Sequence, residues 1–227
     1  GTTIQVQGVT SSQAFTFDPG DFNGSATRPT INSNIASGSF GVTLGTSQSA
    51  HGGTWIQGID MTLGDPADFR IGVFHENSSN HLVRDVNVTG GEIAFGVDTA
   101  NAGGTLADVV FDNVASDGSD VGFYAQRNMG TGTLSGITLT NSVFDNVPVG
   151  GLISTGIQIA SAEDGLVTDV TIGNTSVLNA GGSAIVMSNT RTVSITNVDV
   201  TAAAGIVGGA SGLGVFAVID DNNQDFT

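Results

Sequence analysis

Apolar residues recur along this chain in short alternating runs that are separated by Gly, Asn and Asp. One phrase is a small residue followed by apolar positions two apart. It reads Gly41-Val42-Thr43-Leu44, Val73-Phe74-His75, Phe95-Gly96-Val97, Phe123-Tyr124-Ala125, Ile157-Gln158-Ile159, Ile185-Val186-Met187 and Val215-Phe216-Ala217. A second phrase reads Ile59-Asp60-Met61, Val86-Asn87-Val88, Val109-Val110-Phe111, Ile137-Thr138-Leu139, Val170-Thr171-Ile172 and Val198-Asp199-Val200. Period-two alternation with β-branched residues and turn formers at the margins predicts strands. No stretch of helical length carries an apolar stripe with caps.

The two phrases alternate strictly. Aligned in this way, the step from first to second phrase is 17 residues at the opening (Val42 to Ile59), then 13, 14, 14, 13 and 13. The return steps vary from 9 to 20 residues, and the full period averages about 29, which is a solenoid spacing. A unit made only of short strands buries its apolar face by stacking on its neighbours. A β-sandwich also contains many short strands but needs no fixed interval between two alternating phrases. The prediction is therefore an all-β, right-handed parallel β-helix solenoid of about seven coils. It occupies residues 41–227, with a strand and loop segment over 1–40 as cap or assembly arm. Thr3-Ile4-Gln5-Val6 reads as a strand within that arm.

With such repeats, and stretches such as Thr138-Leu139-Thr140-Asn141-Ser142-Val143-Phe144-Asp145-Asn146, residues 40–220 resemble the right-handed parallel β-helix family, broadly the pectate-lyase-like superfamily. Val143-Phe144-Asp145-Asn146 and Leu178-Asn179-Ala180-Gly181-Gly182-Ser183-Ala184-Ile185 are similar to the repeats of bacterial adhesin passengers and polymorphic outer-membrane proteins. That resemblance implies an extracellular structural or adhesive module at the cell surface, with open ends that meet other copies or neighbouring modules. A phage or virus fibre module is a further alternative. Alginate lyases and epimerases of this fold carry an Asp-Pro-His segment. Asp65-Pro66-Ala67-Asp68 lacks that histidine, so no catalytic residue carries over.

Charge narrows the partners. Lysine is absent, Arg28, Arg70, Arg84, Arg127 and Arg191 are the only cations besides histidine, and 21 acids bring the net charge to -16. Nucleic acid and anionic membrane surfaces are poor partners for such a chain, and no apolar run reaches the length of a membrane span. The absence of cysteine excludes disulfides and thiolate metal sites. The chain opens at Gly1-Thr2-Thr3, as a processed product would, and has glycosylation sequons at Asn23, Asn77, Asn87 and Asn174.

Two surfaces attract chemistry. The variable arm between phrases, over 112–121, 141–155, 174–183 and 201–213, is expected to carry loops. Its Asp112, Asp117 and Asp120 offer hard oxygens to calcium, although Asp also simply favours turns. On the outward face of the first phrase, Phe74, Gly96, Tyr124 and Gln158 fall in one column. Glu76, Asp98, Gln126 and Ala160 fall in the next, with Arg127 and Asn77 just beyond. Glu76, Asp98, Tyr124, Gln126, Arg127 and Gln158 would bind a glycan there. In a polysaccharide lyase or epimerase, Tyr124 would serve as acid/base, Arg127 would clamp a uronate carboxylate, and Glu76 or Asp98 would ligate calcium. Against catalysis stand the strong negative charge and the inward alignment of His75 with Val97, Ala125, Ile159 and Met187. Trp55 suits core packing or sugar stacking, and His81 is expected in a solvated turn.

Overall fold

The structure, a computed structural model of the chain, describes residues 30–32, 39–44, 55–64, 70–76, 79–98, 105–127, 133–147, 154–161, 167–202, 216–219 and 224–226. It is all-β, with strands in two sheets and every pairing parallel. The larger sheet has ten strands: β1 (Thr30–Asn32), β3 (Trp55–Gly64), β5 (His81–Gly90), β7 (Thr105–Asp112), β8 (Ala115–Asp117), β10 (Thr133–Thr140), β11 (Val143–Asp145), β13 (Val167–Ala180), β15 (Thr190–Ala202) and β17 (Gln224–Phe226). The smaller has seven: β2 (Ser39–Leu44), β4 (Arg70–Glu76), β6 (Ile93–Asp98), β9 (Val121–Arg127), β12 (Thr155–Ser161), β14 (Ser183–Ser188) and β16 (Phe216–Ile219). Along the chain the strands pass from one sheet to the other and back, with β7–β8 and β10–β11 following one another within the larger sheet. Among the described residues no helix is long and apolar enough to cross a membrane.

The smaller sheet follows the predicted alignment through most of its length. Val42, Val73, Phe95, Phe123, Ile157 and Ile185 stand in one line. The last pairing is shifted by one residue, because Ile185 meets Phe216 where Val215 was expected. Ahead of this line runs a column of small residues, Gly72, Ala94, Gly122, Gly156 and Ala184. Side chains from the larger sheet press on it. A Cβ on Gly122 would lie 2.5 Å from Phe144 Cδ1, and one on Gly156 would lie 2.2 Å from Val177 Cγ1. The core lies between the sheets. Val73, Phe95, Phe123 and Ile157 from one side meet Val83, Val88, Phe111 and Phe144 from the other. Edge-to-face rings bind its centre, with Phe111 at 5.0 Å from Phe123 and 6.0 Å from Phe95.

The larger sheet obeys a rule finer than the predicted phrases. Residues with positive φ recur every fifth position: Asn80, Asp85 and Gly90; Asp108, Asn113 and Gly118; Gly136, Asn141 and Asn146; Asp169, Asn174 and Asn179; Thr192 and Asn197. Their φ values lie between 49° and 73°, in the left-handed region where Gly is unstrained and Asn and Asp are the best tolerated of the rest. Each left-handed residue bends the strand and resets its alternation, so the chain advances in five-residue units whose first and third side chains point inward. Phe111, Val114 and Ser116 are buried in this way, as are Leu139, Ser142 and Phe144.

Five-residue units explain where the predicted alignment fails. Val86-Asn87-Val88 was expected beside Val109-Val110-Phe111, but His81, Leu82 and Val83 occupy that place. Val170 pairs with Val193 rather than Val198. Both errors are slips of one unit, which preserves the apolar pattern. The uniform first-to-second step disappears with them, because Val73 to His81 and Ile185 to Val193 are each 8 residues. Much of the arm expected to form loops is strand instead: β8, β11 and the second half of β13 continue the larger sheet. Parallel pairing also begins before residue 41, since Thr30–Asn32 lies beside Asp60–Thr62. Thr3–Val6 lies outside the described residues.

Packing of one sheet onto the small column of the other predicts a sharp size limit. Gly156→Val should destabilise the fold by about 3 kcal/mol, in the upper range for overpacked cores. Ala184→Gly, in the same column, should cost about 1 kcal/mol. Urea denaturation of the two variants beside the parent chain checks the ranking.

Candidate functional site

The outward columns of the smaller sheet form as the alternation predicts. Phe74, Gly96, Tyr124 and Gln158 are level with one another, and so are Glu76, Asp98, Gln126 and Ala160. Arg127 follows, level with Ser161, and its side chain lies outside the described residues. The register therefore brings Glu76, Asp98 and Gln126 onto one line and Tyr124 and Gln158 onto the adjacent line.

Exposure changes what these residues can do. Phe74 lies over Gly96, where a Cβ would come within 2.9 Å of its ring. With Ile71, Ile93 and Val121 it forms a second buried cluster, against which Tyr124 packs. Asp98 is only 8% exposed. Burial, and then the charge of Asp98, pushes the Tyr124 phenol up to about 12. A phenol so placed stays protonated near neutrality. It can donate a hydrogen bond but is a poor base. Gln158 keeps Oε1 out of solvent with no hydrogen-bond partner among the described residues.

Of the acids proposed for calcium, Asp112 and Asp117 accept hydrogen bonds from the following repeat. Asp112 accepts hydrogen bonds from Asn141 Nδ2 at 2.7 Å and Thr140 Oγ1 at 3.3 Å, and pairs with Arg84 Nε at 3.0 Å. The Asn141 bond foremost, then Arg84, holds its carboxyl below the usual range, against the opposing effect of partial burial. Asp117 accepts from Asn146 Nδ2 at 2.8 Å. Burial, and then the charge of Asp120, raises the Glu92 carboxyl. Among the described residues no group of three or more His, Asp or Glu side chains is placed to hold a metal ion.

Those bonds belong to a larger system that the phrase alignment missed. At the bend between the first two units, Asn113 Nδ2 donates to Asp85 and Asn141 donates to Asp112. Asn174 donates to Asn141 Oδ1 at 3.3 Å, and Asn197 donates to Asn174 Oδ1 at 2.7 Å. At the next bend Asn146 donates to Asp117, and Asn179 donates to Asp145 at 2.8 Å. Asn87 Nδ2 donates to Asp60 at 2.8 Å, and Gln57 Nε2 donates to Asp85 at 3.1 Å. In each of these bonds but the last the amide of one repeat reaches a carbonyl or carboxylate of the repeat before it; Gln57 reaches forward, to Asp85 of the repeat after it. Two sequon amides, Asn87 and Asn174, are used in these ladders. Asn23 and Asn77 lie outside the described residues. The signal in the sequence was Asx at every fifth position and again about 28 residues later.

The histidines complete the inventory. His75 is fully buried, as its alignment predicts. His81 corrects the expectation of a solvated turn: it begins β5, is 1% exposed, and its ring lies 5.1 Å from that of His75. The side chain of Trp55 lies outside the described residues.

Asn141 occupies a left-handed bend, donates to Asp112 and accepts from Asn174. Asn141→Ala should lose all three advantages and cost about 2 kcal/mol, while Asn141→Gly should recover the backbone share, about 1 kcal/mol. Thermal or urea unfolding of both variants measures the difference.

Comparison with family models, curated proteins and solved structures finds no match for this chain.

Proposed function

We propose that this chain is an extracellular structural or adhesive module: a right-handed parallel β-helix of about seven coils that presents flat faces and joins neighbouring copies or modules through its ends. The observation that carries this reading is the direction of its polar chemistry. Asn and Asp side chains at the bends are bonded from repeat to repeat, along the stacking direction, and so serve cohesion of the stack. Alternation of strands between two parallel sheets supports a helical winding, and parallel crossovers favour the right hand. Seven strands in the smaller sheet support seven coils, about 30 Å of stack at the usual strand spacing. Parallel sheets leave edge strands whose main-chain groups can pair with another chain, which supports end-to-end assembly. A net charge of -16 supports solubility between assembly events and disfavours nucleic acid.

A second reading is glycan binding on the outward face of the smaller sheet. It is supported by the level placement of Tyr124 with Gln158 and of Glu76 with Gln126. The raised Tyr124 phenol favours binding over lyase or epimerase chemistry.

Negative-stain microscopy and sedimentation velocity over a range of concentrations, with and without calcium, test the proposal. End-to-end rods or filaments that lengthen with concentration are expected. A strictly monomeric short rod at every concentration would remove the assembly reading and leave binding to polysaccharide arrays as the next measurement. A stable trimer would favour a fibre module.

A further inference from the structure

Two imidazoles meet at one level of the core. His75 stands in the line of Val97, Ala125, Ile159 and Met187, and His81 stands in the line of Val109, Ile137, Val170 and Val193. Every other place in those two lines is apolar. The His75 ring is wholly buried, 5.1 Å from His81 and 5.2 Å from Phe111, edge to face in both contacts. Neither of its nitrogens has a hydrogen-bond partner among the described residues. A buried polar ring without a partner costs stability, so an aliphatic residue would serve better here.

We infer that His75, set against His81, makes this level of the core an acid-sensitive latch, closed while the His75 ring is neutral and opened by its proton uptake on mild acidification. Among the described residues His75 has no carboxylate contact that would pair with its charged form. From β5 the titratable group facing it is His81, from β7 it meets Phe111, and from β6 its level neighbour is Val97. Leu44 is its level neighbour in β2. Glu76, Asp98 and Asp112 belong to outward positions of their strands, and Asp112 is already bonded to Arg84. Burial foremost, then the proximity of His81, holds the His75 imidazole well below its ordinary range.

The sign follows from linkage. In the open chain His75 binds a proton near its ordinary value of 6.5, while the closed core holds it neutral. Stability is therefore complete above that value and falls as pH drops below it. Glu92, whose carboxyl is raised by burial, pulls the other way, and Asp112, held below its ordinary value of 3.8, gives up its contribution only below this range. Loss of stability between pH 7.5 and 5.0 is thus a signature of the histidines.

The test is urea unfolding of the full chain at pH 7.5 and 5.0, followed by fluorescence of its one tryptophan, Trp55, whose backbone pairs with Leu82 beside His81. One histidine kept neutral to pH 5.0 should raise the opening equilibrium about thirty-fold over that interval. His75→Phe, which keeps an aromatic ring beside Phe111, should remove most of that change. Equal pH dependence in parent and variant, or a parent that becomes more stable on acidification, would overturn the inference. Should His75→Phe fail to fold, hydrogen exchange of the parent decides, after correction for the intrinsic pH dependence of exchange. Protection lost first in β4, β5 and β6 supports the latch, and loss that is uniform or begins in β12–β15 refutes it.

Discussion

The left-handed bend at every fifth residue of the larger sheet is the constraint on which the rest depends. A plain β-strand alternates without interruption, so a core on one side receives every second side chain. Here the bend resets the alternation, and a continuous run such as β13 (Val167–Ala180) can turn while still pointing Val170, Ile172, Thr175 and Val177 inward. Without those bends the same run would continue nearly straight and aim alternate units of its apolar residues at solvent. The bends also dictate composition. Gly, Asn and Asp are abundant because the left-handed region admits them at least cost.

Once Asn occupies a bend, stacking gives it a second role. Parallel pairing sets equivalent bends one strand spacing apart, within reach of a side-chain amide. Each Asn can then donate to the repeat before it and accept from the repeat after it, as Asn141 and Asn174 do. Asp at the donor's target strengthens the bond through its charge. A chain with 21 acids thus places several of them where neighbouring repeats supply donors, and Arg84 neutralises one directly. Cohesion between repeats comes from the core, the main chain and these side-chain ladders together.

The smaller sheet solves a different problem. Its column of Gly and Ala lets the larger sheet's Val88, Phe144 and Val177 settle against the backbone, which brings the two sheets close. Its outer surface is not simply polar, because Ile71, Phe74, Ile93 and Val121 form a buried cluster there. Tyr124 packs against that cluster, and its burial raises the phenol.

The sequence by itself determined the strand content, the two alternating phrases and the inward line of the smaller sheet from Val42 to Ile185. Side-chain alternation is local and survives in the order of residues, so the burial of His75 and the level placement of Glu76, Asp98 and Gln126 were legible too. It did not determine register in the larger sheet. A slip of five residues returns apolar side chains to apolar places, and only contact with the facing sheet selects among such registers. Pairing His81 with Val109 rather than Val86 is a decision of that kind. The amide ladders and the meeting of His75 with His81 depend on the same choice, because they join residues that stand together only after the repeats have stacked.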